Sequence, residues 1–97
     1  MNPQSERRVE VPATIYTFEE LHLYLQQVLQ FPSYYGCNLN ALWDCATSDI
    51  SQPVCVVWPR RWNEASAEFE TAAAAILEVL QEAAEENWLL RVEVSAP

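Results

Sequence analysis

At 97 residues and 11.1 kDa the chain suffices for one compact domain and is too short for two, so residues 1–97 are expected to form a single unit. Fourteen acids against five arginines and no lysine give a net charge of −9, a field that repels phosphate backbones and attracts basic proteins, so nucleic acid is excluded as a natural partner. Half the residues are apolar, at 51%, and glycine occurs once, which excludes a disordered chain and a glycine-rich phosphate loop.

In chain order, "RRVEV" (Arg7–Val11) is predicted as a short strand stopped by Pro12, whose nitrogen carries no donor for a ladder. "TFEE" follows as a helix start, with Thr17 as cap and Glu20 three residues on. Leu21, Leu25, Val28 and Leu29 then share one face of a helix over Phe18–Gln30 that ends at Pro32. "SYYG" is a turn, and Asn38 caps a short second helix whose apolar side is expected to be Leu39, Leu42 and Ala46. "PVCVVW" (Pro53–Trp58) is a continuous β-branched run, predicted as the central strand covered on both faces. "RRWNEASAEFE" is taken as an irregular or short helical link. A long helix follows through "TAAAAILEVLQEAAEEN", its core side Ile76, Leu77, Leu80 and Ala83 or Ala84. "WLLRVEV" alternates, placing Trp88, Leu90, Val92 and Val94 on one face of a last strand. Strands interleaved with helices imply parallel pairing through right-handed crossovers, hence an α/β fold.

Groups for chemistry are sparse. His22 is the sole histidine, set mid-helix among leucines and read as a satisfied or exposed helix residue. Cys37, Cys45 and Cys55 are an odd set without Cys-x-x-Cys spacing, which fits reduced thiols in a cytoplasm. No metal or cofactor motif occurs, and no 18 consecutive residues are apolar, so neither a cofactor nor a membrane partner is expected. The N-terminal segment has no apolar run of signal-peptide length. Seven of the fourteen acids lie between Glu64 and Glu86, where no basic residue occurs; they are read as solvated helix surface, with carboxylate hydrolysis as a remote alternative. "WPRRW" is read as a strand end with core aromatics and solvated charges. The second helix differs: Asn40, Asp44 and Thr47 follow i, i+4, i+7 on the face opposite its apolar side, flanked by Tyr34, Tyr35 and Trp43. A sparse polar face with a single acid, bordered by aromatics, has the composition of a protein-binding surface.

"PSYYGCNLNALWDCAT" (Pro32–Thr47) is similar to the signature segment of the barstar family, intracellular inhibitors of a bacterial ribonuclease, in which a Y-Y-G turn leads into N-L-D-A-L-W-D-C. "TFEELHLYLQQVL", "VCVVW" and "ILEVLQEAAEENWLLRVEV" resemble the family's first helix, second strand, and last helix and strand. The resemblance implies a two-layer α/β fold with a three-stranded parallel sheet in order 1-2-3 and about four helices. It also implies a non-catalytic antitoxin or immunity-type inhibitor in the cytoplasm, monomeric when free. Its partner would be a basic secreted ribonuclease or nuclease toxin, with Asp44 standing for a substrate phosphate. Tyr34, Asn38, Asn40, Trp43 and Thr47 fall on contact or supporting positions, and Glu82 on the family's rim acid. Asn40 and Cys37 stand where the family has acids, and Ser48 and Asp49 where it has glycine and tryptophan, which leaves open a different basic protein as partner.

Overall fold

The computed structural model describes residues 6–95. The elements run β1 (Arg7–Glu10), α1 (Phe18–Leu29), α2 (Leu39–Ser48), β2 (Val54–Trp58), α3 (Ala67–Glu86) and β3 (Leu90–Val94). The strands form one parallel sheet in order β1-β2-β3, with Val9 opposite Val56 and Val56 opposite Val92. Because the order advances in one direction and parallel crossovers are right-handed, both connections land on the same side of the sheet. All three helices therefore share a face, and the fold has two layers. Between them lies a core that includes Val9, Val54, Val56 and Leu90 from the sheet and Leu21, Leu25, Leu42, Ile76 and Leu80 from the helices. Each fully buried Leu or Ile among these contributes about 1.5–3 kcal/mol relative to exposure.

Strand β2 is buried at every residue, as its unbroken apolar run implies, but helices cover only one of its faces. The other carries Cys55 and Val57, and there the register aligns Arg8, Cys55 and Arg91, then Glu10, Val57 and Glu93. Side chains on the flanking strands reach over β2 and close it from water. Arg8 Nη1 lies 3.4 Å from Glu93 Oε1, and Arg91 Nε lies 2.9 Å from Glu6 Oε2, crossing in the opposite sense. Such exposed pairs stabilise by roughly 0–1 kcal/mol each, so their main effect is the apolar area that the arginine stems cover.

The helix ends follow local chemistry. Thr17 Oγ1 accepts from Glu20 N–H at 3.1 Å at the start of α1, and Ser66 Oγ accepts from Phe69 N–H at 3.0 Å at the start of α3. Ser66 corrects the expected link: "AEFE" belongs to α3, because Phe69 extends the buried row Phe69, Ala73, Ile76, Leu80, Ala83 by one turn and packs edge-on against Trp62. With no separate helix in that link, the described residues hold three helices where about four were expected. Helix α1 closes at Leu29, since Gln30 turns into the left-handed region at φ 60°. Trp58 is buried and stacked edge-on against Trp62, with Arg60 and Arg61 in solvent, as "WPRRW" was read. The last strand departs from expectation. Leu90 enters the core, but Trp88 precedes the strand and is exposed, and Val94 is half exposed at the sheet edge.

Candidate partner-binding surface

Everything about α2 depends on how the chain reaches it from α1. Phe31 and Tyr35 are both buried, with ring centroids 5.2 Å apart, and the Tyr35 hydroxyl meets Nδ1 of the buried His22 at 2.5 Å. Burial pushes the Tyr35 phenol far above its ordinary range and lowers the His22 pKa, so a neutral phenol and a neutral imidazole share this hydrogen bond. His22 is thus a satisfied core residue. With Tyr35 anchored inward, its neighbour Tyr34 is thrown outward and is 80% exposed.

The turn that follows uses its glycine for space. Gly36 does not have a positive φ; a Cβ there would lie 3.2 Å from Asn38 Nδ2, tighter than ordinary packing. The left-handed residue is Cys37, at φ 54°. Asn38 then caps α2, its Oδ1 accepting from Ala41 N–H at 2.8 Å while its Nδ2 donates to the Gly36 carbonyl at 3.3 Å. At the other end, the buried Asn87 that ends α3 donates from Nδ2 to the Ala46 carbonyl at 3.1 Å. The ten-residue helix is therefore closed by a local cap at its start and tied to the end of α3 near its finish.

The buried side of α2 is Leu42, Cys45 and Ala46. This corrects the expected face: Cys45 takes the place assigned to Leu39, and Leu39 turns outward, 41% exposed. Burial, then the neighbouring Asp49 carboxylate, raises the Cys45 thiol to about 11, so it stays protonated and unreactive at neutral pH. On the opposite side Asn40, Trp43 and Asp44 are exposed and Thr47 is half-buried. The Thr47 hydroxyl donates back to the Trp43 carbonyl at 2.7 Å, so it braces the helix more than it offers itself.

Among the described residues the ion pairs all lie on the open face of the sheet, and none involves Asp44 or the acids of α3. Asp44 is thus an exposed carboxylate without a cation, on a rigid helix between Trp43 and Asn40. Glu82 is exposed on α3. Ala75, Val79 and Glu82 follow i, i+4, i+7, and Ala75 lines a cleft with Asn38 and Leu39, which sets Glu82 on the flank of α3 that runs beside α2. Tyr34, Asn38, Asn40, Trp43 and Asp44 thus lie exposed along one turn and helix, Thr47 is half-buried at its end, and Glu82 is exposed on the neighbouring helix α3. Leu39 was missed as a surface residue. Its signal was that Leu42, Cys45 and Ala46 already make a complete apolar stripe.

Comparison with known proteins agrees with this architecture. Residues 8–95 match the family described as "Barstar (barnase inhibitor)". The Bacillus subtilis (strain 168) protein named "Putative ribonuclease inhibitor YrdF" is 43% identical over 68 residues, covering 70% of this chain and 74% of that protein. Matched over nearly its whole length and built on the parallel 1-2-3 sheet expected of that fold, the chain belongs to the barstar family.

Proposed function

We propose that the protein is a cytoplasmic inhibitor of a basic microbial ribonuclease, of the antitoxin or immunity type, and that it acts by occluding the active site with α2, without chemistry of its own. The observation that carries this reading is Asp44: one unpaired carboxylate, exposed on a capped helix tied to α3, with Trp43 exposed next to it in the chain and Tyr34 exposed in the preceding turn. A ribonuclease binds the anionic phosphate of its substrate with cationic side chains, and a carboxylate delivered rigidly to that place gains charge-assisted hydrogen bonds in a desolvated centre. Rigid delivery lowers the ordering cost of the complex. Family membership and the name of the Bacillus relative support a ribonuclease as partner.

The two acids missing from the helix region, at Cys37 and Asn40, leave the anionic role to Asp44, with Asp49 at the C-cap adding charge from another direction. The free protein is taken as a monomer with residues 1–97 as one unit. Titration against a panel of basic microbial ribonucleases tests the reading. One member should be inhibited at one-to-one stoichiometry, and a mononucleotide product held in its active site should compete with the protein. Binding that is indifferent to the mononucleotide would place the contact away from the active site and contradict occlusion. Asn40 favours one second reading, in which the same face serves a basic protein that is not a nuclease; recovery of such a partner, insensitive to Asp44→Ala, would establish it.

A further inference from the structure

Beside the N-terminus of α2 the helices do not close. A cleft of about 250 Å³ lies between Phe18 and His22 of α1, Leu39 of α2, and Ala72, Ala75 and Ile76 of α3. A second, of about 580 Å³, continues from it between the starts of α1 and α3, and the two share Phe18 and Ala72. The alanine run of α3 is the cause. Ala73 points into the core, while Ala72 and Ala75 are half-buried methyl groups where a larger side chain would fill the gap. Apolar surface borders the opening: Tyr16 is 63% exposed, Phe18 49%, and Leu39 stands at the edge shared with α2.

The charge around this trough has one sign. Glu19 and Glu68 line it, and no arginine does. Two helices begin here, and bare N-termini would favour an anion. Both are capped internally, by Thr17 and Ser66, and both carry acids in the first turn, Glu19 and Glu20 on α1 and Glu68 and Glu70 on α3. What faces outward is therefore carboxylate above an apolar floor, continuous with the exposed face of α2.

We infer that this trough between α1 and α3 is a second seat for the partner, taking an aromatic or large aliphatic side chain that has an arginine or lysine beside it. The inference rests on α2 as the contact helix, because Leu39 belongs to both surfaces and a basic protein seated on α2 lies against the trough. The apolar side chain fills the space over Ala72 and Ala75, and the cation pairs with Glu19 or Glu68. Asp44 supplies the anion at the centre, and the trough selects which basic protein fits.

The direct test is an NMR titration of the full-length protein with the peptide Ac-Arg-Phe-Arg-NH2. Amide signals of Phe18, Leu39 and Ala72 should shift, several-fold less with Ac-Arg-Ala-Arg-NH2 and not at all with Ac-Glu-Phe-Glu-NH2. Ala72→Leu, which fills the trough, and Glu68→Arg, which changes only surface charge, should each weaken the response about tenfold. Shifts confined to the glutamates between Glu78 and Glu86, equal responses to the two cationic peptides, or no shifts would overturn the inference. The Asp44→Ala protein should respond to the peptide like the parent. A failed occlusion assay with an intact peptide response thus counts against α2 as the plug, and the converse against the trough.

Discussion

Asp44 and His22 show how differently two titratable residues can be used: one is exposed and unpaired, the other buried and satisfied by Tyr35. The lowered pKa of His22, caused by burial, links it to stability. The unfolded chain, with an ordinary value near 6.5, binds the proton more readily than the folded one, so the neutral imidazole's contribution is complete above about pH 6.5 and is lost as the pH falls through the lowered folded value. Urea midpoints between pH 5 and 8 should therefore fall on the acid side, and His22→Gln should flatten that part of the profile; parallel profiles would contradict the assignment. Cys37 offers a second test. At φ 54° a β-branched side chain costs more than cysteine does, so Cys37→Val should destabilise by about 1–2 kcal/mol while Cys37→Gly is tolerated, read from the same urea curves. A satisfied His22 is one of the two readings that its mid-helix position allows, but the left-handed turn at Cys37 is not legible in the sequence. The role of the single glycine is clearance for Asn38, and the left-handed residue is the one after it.

Among elements, α2 is held as much by its neighbours as by its own sequence. Only ten residues long, it is below the length at which an isolated helix is stable in water, so its packing on α3 and the bond from Asn87 to Ala46 decide its order. Leu42 is the largest fully buried side chain of α2: Leu42→Ala should cost about 2–5 kcal/mol, measured by denaturation. Strand and helix positions were readable where periodicity or a cap marks them, as with Thr17, Asn38 and the run "VCVVW". Three features were not. The cap at Ser66 carries no local signal, because the link before it is polar and aromatic without period. The outward turn of Leu39 depends on Cys45 being the buried partner, and a thiol reads less clearly as core than a leucine. The cover over Cys55 and Val57 comes from arginines on two other strands, a tertiary arrangement that no local pattern contains.

Over the whole molecule the charge is divided. The ion pairs among the described residues sit on the open face of the sheet, while Asp44 and the glutamates of α3 face solvent unpaired on the helical layer. On the proposed function, a net charge of −9 so arranged would speed the approach of a basic partner, an effect whose reference case is the barnase and barstar pair itself. Reversing Glu78 and Glu82 to arginine should slow association with the target ribonuclease by about tenfold at low ionic strength, with little change in dissociation, and the difference should shrink as salt is raised. Stopped-flow association at several salt concentrations reads this; a salt-independent rate would contradict steering by α3.

Asp44→Ala in the complex with the inhibited ribonuclease bears most directly on occlusion by α2. If the Asp44 carboxylate occupies the place of a substrate phosphate, its loss leaves buried cations of the enzyme uncompensated. The dissociation constant should then rise by at least about a hundredfold, mostly through faster dissociation, with the association rate nearly kept. An Asp44→Ala protein that binds and inhibits like the parent would contradict the account.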